Sequence, residues 1–129
     1  MINYKFRFNG LGGEYMETDR KSLGHKSIVW GCAYNEDNNY DYSHLKQLPI
    51  RGMILDKYKV GLEKPKYSSW VFAPINKNGE PIKSKVVDLY SRHYADTYEE
   101  CVEVYNGLVQ MRIDRLNEII KECETHKIT

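Results

Sequence analysis

Apolar and polar residues alternate without exception from position 2 to position 8, with Ile2, Tyr4, Phe6 and Phe8 on one side and Asn3, Lys5 and Arg7 on the other. A repeat of two marks a strand with one dry face. The run Asn9-Gly10-Leu11-Gly12-Gly13 provides a reversal, from which residues 14–18 return as a second strand. This cluster reads as a turn and not as a phosphate loop, because no Gly-Lys-Ser/Thr follows it and nothing after it has helical periodicity. Alternation resumes over 27–34, placing Ile28, Trp30, Cys32 and Tyr34 on one face and the smaller Val29, Gly31 and Ala33 on the other. The Asn-rich, acidic stretch 35–44 has no period and reads as a loop; its Asp37 and Asp41 lack the glycine and closing glutamate of a calcium loop. Beyond Pro49, a strand over 50–60 contains the contiguous apolar Met53, Ile54 and Leu55, as suits a strand covered on both faces. In 68–75, Trp70 and Phe72 face one way and Val71 and Ala73 the other. Asn78-Gly79 then predicts a hairpin that returns along 82–94, with Tyr90, Arg92 and Tyr94 on a shared side.

The period changes near residue 97. Thr97 is a candidate N-cap with Glu100 at the capping-box position, and apolar residues at 101, 102, 105, 108, 109, 113, 116, 119, 120 and 123 follow. That stripe runs for about seven turns at roughly 3.6 residues per turn, broken only by Gly107. The predicted fold is therefore α+β: one domain over 1–129, mainly antiparallel β-sheet through 95, then a single long helix over 97–124. A helix of this length outlasts a small domain and invites a partner, a second copy included.

Composition narrows the function. Nineteen Lys and Arg against eighteen Asp and Glu leave a net charge of +1, too little for a protein that grips duplex nucleic acid through an overall basic field. No apolar run is long enough to span a bilayer and the N-terminus lacks the profile of a signal peptide, which predicts a soluble, cytoplasmic protein without membrane partners. The three cysteines, Cys32, Cys101 and Cys123, have neither disulfide nor zinc-knuckle spacing and read as reduced, mostly core residues. Eleven tyrosines beside three phenylalanines and two tryptophans put hydroxyls on most of the aromatic surface, as in strands, interfaces and polar ligand sites.

Arginines break the pattern. Stepped at about 100° per residue, Arg112 lies roughly 40° from the centre of the apolar arc, and Arg115 occupies the adjoining rim. A guanidinium keeps its proton, so an anion has to meet it. Asp88 or an acidic residue of 36–41 would make an internal or intersubunit pair; a ligand phosphate or carboxylate held by Arg112 and Arg115 together is the alternative, and a side chain that snorkels past the core is a third. Arg92, framed by Tyr90 and Tyr94, either lies on a solvated outer face of the sheet or has the interleaving of cation and aromatic that can hold a phosphate and stack a base, with Trp70 and Phe72 as a stacking wall or as core. Nothing resembles a catalytic constellation: there is no GxSxG, HExxH or paired HxT, and His25, His44, His93 and His126 share no ligand spacing. No enzyme, metal or cofactor is expected.

The layout and several of its residues resemble a known family. A Tyr-rich sheet running through Tyr94-Ala95-Asp96-Thr97-Tyr98-Glu99-Glu100 into a helix with Tyr105-Asn106 and Met111-Arg112-Ile113-Asp114-Arg115 is similar to the small phage anti-Thoeris proteins that act as sponges for an immune signal. The resemblance implies a homo-oligomer, a dimer or higher, that captures a cyclised ADP-ribose isomer between protomers without altering it. It further implies phosphate-binding roles for Arg112 and Arg115, a stacking role for Phe72 or Trp70, and an upstream arginine at Arg51. The helix pair is spaced i and i+3 here, against i and i+4 in the family. The expected function is thus sequestration of a small anionic nucleotide; the alternative is a small phage or mobile-element protein that inhibits or adapts a host protein by direct contact.

Overall fold

A computed structural model of the chain describes residues 24–36, 45–65 and 68–128. The strands expected at 2–8 and 14–18, the glycine turn between them, and Asp37 and Asp41 lie outside the described residues. Among those described, β1 (Ser27–Asn35), β2 (Leu45–Asp56), β3 (Trp70–Pro74), β4 (Val87–Asp88) and β5 (His93–Ala95) form one antiparallel sheet in the order β4-β3-β2-β1-β5, and α1 (Tyr98–Glu124) follows. The fold is α+β, as the two periodicities predict.

Two elements depart from expectation. β2 begins at Leu45, five residues early, and stops at Asp56 before a turn. Pro49 does not end it, because the register passes from Gly31 opposite Ile50 to Ala33 opposite Gln47, so Leu48 and Pro49 together face Cys32. The extra residue makes a bulge, where a proline's missing N–H costs no ladder bond. The expected return strand over 82–94 is instead divided. The Asn-Gly hairpin forms, with Gly79 at φ 78° and the Asn76 side chain accepting from the amides of Asn78 and Glu80. The chain after β4 then turns away, because Asp88 accepts from the Tyr90 amide at 2.8 Å and closes a 3-10 turn over Leu89–Ser91. That turn carries the chain from one edge of the sheet to the other, where β5 pairs with β1.

Register assigns the faces. Val29, Gly52, Ile54, Phe72 and Tyr94 share one face and pack with Leu89 from the crossing turn. The other face carries Leu55, Val71 and Ala73, covered by Val60, Leu62 and Val86, and then Cys32 and Ala95, covered by Cys101, Val104 and Leu108 of α1. Met53-Ile54-Leu55 is therefore dry on both sides, as its unbroken apolar run predicts. Thr97 caps α1 by accepting from the Glu100 amide at 3.1 Å. Cys32 and Cys101 are buried thiols: the Cys32 thiol donates to the Cys101 carbonyl at 3.9 Å, and its hydrogen bonding with Cys101 and its burial hold it far above its ordinary range, against the thiolate form.

The first face depends on a glycine. A Cβ on Gly52 would stand 2.3 Å from Phe72 Cζ and 2.8 Å from the Ala73 carbonyl oxygen, so the Phe72 ring occupies the space that a side chain would need. Gly52→Ala should lower stability by about 2–3 kcal/mol, the cost of overpacking against backbone as well as a ring. Chemical denaturation of the two proteins measures this directly, and an unchanged midpoint would show that the ring is not seated there.

Candidate functional site

The site follows from how α1 lies on the sheet. Tyr98 meets Trp30 edge-on at 5.1 Å, Cys101 lies against Cys32, and Tyr105 meets Tyr34 edge-on at 5.8 Å. Helix and strand thus run in the same direction, and β1 ends one residue past Tyr34. Leu108 is the last buried residue of α1; Ile113, Leu116, Ile119 and Ile120 are 40–53% exposed. The helix overhangs the sheet by about 18 Å, counting 113–124 at 1.5 Å per residue. The apolar stripe read from the sequence is one stripe with two fates: its first half is core and its second half is bare.

At the point of departure a cluster of charged and aromatic groups assembles. Glu36, the first residue beyond β1, accepts from the Tyr34 hydroxyl at 2.7 Å and pairs with Lys46, which is cross-strand to Tyr34. Lys46 Nζ also lies 5.6 Å from the centre of the Tyr34 ring. Arg112 stands two turns beyond Tyr105 on the same helical stripe, half-buried, and its field reaches the Glu36 carboxylate. The consequences are mutual. The bonds from Lys46 and Tyr34, then the charges of Lys46 and Arg112, hold the Glu36 carboxyl below its usual range, while Glu36 raises both the Tyr34 phenol and the Lys46 ammonium. Of the internal anions considered for Arg112, Glu36 and Asp88 are among the described residues: the Arg112 charge acts on Glu36, whereas Asp88 is at the opposite edge of the sheet, capping its own turn.

A second cation lies back-to-back with this cluster. Arg92 precedes β5 and projects across the small Ala33 to Gln47, to which its Nε donates at 2.6 Å. Its Nη1 donates to the Ser91 carbonyl and hydroxyl oxygens at 3.2 and 2.9 Å. Only 7% of the residue is exposed. Burial lowers the guanidinium below its ordinary value, and its bonds within the described residues go to neutral acceptors. The two tyrosines expected to frame Arg92 have different places: Tyr90 is in the crossing turn, and Tyr94 is fully buried with its hydroxyl donating to the Leu89 carbonyl.

The remaining candidates do not converge. Phe72 is fully buried against Tyr94, ring centres 5.2 Å apart, on the face away from Arg112, so it is core and not a stacking wall. Trp70 is half-buried at the edge of the same core. Arg51 is exposed opposite Trp30, about 13 Å along the sheet from the Lys46 row at 3.3 Å per residue. Arg115 is exposed on the overhang. Of the eight, Arg112 alone joins this cluster; its companions are Tyr105 from the same helix, and Tyr34, Glu36 and Lys46 from β1, its end and β2. Tyr34 and Tyr105 were visible as members of an apolar face and an apolar stripe. Lys46 was hidden because Pro49 disguised the first half of β2.

Among the described residues, no three His, Cys, Asp or Glu side chains are grouped as a metal site, and no helix is long and apolar enough to cross a membrane. Compared with family models, curated proteins and solved structures, the chain gives no match.

The neutral clamp on Arg92 has a measurable weight. Gln47→Leu should cost about 1.5–3 kcal/mol, since it strands a nearly buried charged donor, and adding Arg92→Met should recover most of that loss. A double-mutant cycle by denaturation measures the coupling; strictly additive effects would show that the two side chains do not support each other.

Proposed function

We propose that the protein is a non-catalytic binding protein that sequesters a small anionic nucleotide, and that its nucleotide meets the cluster where α1 leaves the sheet. The observation that supports this reading is the convergence of Lys46 and Arg112 with the rings of Tyr34 and Tyr105 at a half-open position. Cations that lie beside aromatic faces suit a ligand with phosphate at one end and a base at the other. The guanidinium offers paired donors to phosphate oxygens, and the ammonium adds a mobile point charge. The resemblance to anti-Thoeris sponges makes a cyclic ADP-ribose isomer the first candidate, with the protein acting against host defence in the cytoplasm of an infected bacterium. Capture needs no bond to be made or broken.

The overhang of α1 supports assembly as a homo-oligomer. Ile113, Leu116, Ile120 and Cys123 recur at alternating spacings of three and four, and that seam is exposed in the single chain. The same surface favours a second reading, in which the protein inhibits or adapts a host protein through this helix. That reading predicts an obligate protein partner and no nucleotide.

Calorimetric titration with cyclic ADP-ribose isomers and cyclic di- and trinucleotides separates the two, with mass spectrometry of ligand released by heat. Submicromolar binding with intact ligand recovered is expected. Arg112→Ala should weaken it by about 2–4 kcal/mol at an unchanged melting temperature. Turnover of the ligand would exclude a sponge, and absence of heat with every nucleotide would leave the protein-partner reading.

A further inference from the structure

The binding cluster already holds an anion of its own. Glu36 takes the Lys46 ammonium, accepts from the Tyr34 hydroxyl and stands in the field of Arg112, so the Lys46 and Tyr34 donors that a ligand phosphate would use are engaged by one carboxylate. This carboxylate is poorly secured. It belongs to the first residue outside the β1 ladder, its side chain is 31% exposed, and that of Lys46 is 51% exposed. Contacts of this kind exchange with water and with other anions at little cost. By contrast, Arg92 is buried with its acceptors and has no such freedom.

On the reading of a nucleotide-binding protein given above, we infer that Glu36 is a specificity residue: it occupies the phosphate subsite formed by Lys46 and Tyr34, beside Arg112, as a stand-in ligand, and yields it to groups of two or more negative charges. A carboxylate ligand brings one charge and the same acceptor chemistry as Glu36, and it gains nothing by displacing a tethered equivalent. A diphosphate brings more charge and more acceptor oxygens to the same donors, and it prevails. Displacing Glu36 costs its bonds to Lys46 and Tyr34 once, whatever the ligand, and a singly charged ligand does not recover that fixed cost. The site thereby ignores abundant carboxylate metabolites and answers to diphosphates and their esters. Lys46 and Tyr34 become ligand-binding residues alongside Arg112.

The arithmetic is that of a self-occupied site. If Glu36 holds the donors about nine-tenths of the time, the open fraction is about one tenth, and the apparent affinity is about tenfold weaker than the intrinsic one. The test is titration of the full chain with inorganic pyrophosphate, ADP-ribose and acetate at low ionic strength, for wild type, Glu36→Gln, Glu36→Asp and Lys46→Met. The expected result is that Glu36→Gln binds pyrophosphate and ADP-ribose about tenfold more tightly than wild type, by the same open-fraction relation. Glu36→Asp, whose shorter arm reaches Lys46 less well, should fall between the two, and acetate should show no detectable binding to wild type. The melting temperature of each variant reports that it is folded. If wild type binds, Lys46→Met weakens binding, and Glu36→Gln is unchanged or weaker, then Glu36 is part of the scaffold and the inference fails while the binding function stands. If no variant binds either phosphate probe, both fail together.

Discussion

The docking of α1 along β1 is the constraint on which the rest of the structure depends. Three contacts set it, Tyr98 on Trp30, Cys101 on Cys32 and Tyr105 on Tyr34, all from one face of one strand. A helix of 27 residues is about 40 Å long, whereas a strand of nine spans about 30 Å. Since the helix begins beside the middle of β1 and runs the same way, it must outrun the sheet. The overshoot brings Arg112 to the end of β1 and leaves the apolar residues of the last turns exposed.

Three cations at the same end of the sheet divide into two characters, and the difference is water. Arg92 is enclosed, and its charge is spread over neutral acceptors in a fixed geometry that only backbone and core could rearrange. Lys46 and Arg112 are partly solvated, and the anion they share is held by side chains alone. A dry charge stabilises one arrangement; a wet one can change partners. Ligand exchange therefore belongs to the cluster on the helix side, and the Arg92 clamp on the other side keeps the strands beneath it in register.

The legible parts of this protein are those in which neighbouring residues determine one another. The alternation of Ile28, Trp30, Cys32 and Tyr34 located β1 and its faces, Thr97 and Glu100 located the start of α1, Asn78-Gly79 located the hairpin, and Met53-Ile54-Leu55 announced a strand dry on both sides. Each depends on a local period or on the φ preference of a single residue. Where local signals misled, a single residue had two readings. Pro49 looked like a boundary and is a bulge, and the even parity of Tyr90, Arg92 and Tyr94 looked like one strand face although Asp88 turns the chain between them and β4.

What the sequence determined by itself is thus the class of the fold, the extent of its helix, and the presence on that helix of an arginine that needs an anion. Only the tertiary structure decided that Glu36 stands in the field of that arginine, that Phe72 and Tyr94 lie on the far side of the sheet from Arg112, and that Lys46 and two tyrosines accompany it. The reason is that these facts depend on strand order and on where a helix leaves a sheet. Both are set by contacts between residues far apart in the chain, and a period of two or 3.6 carries no record of them.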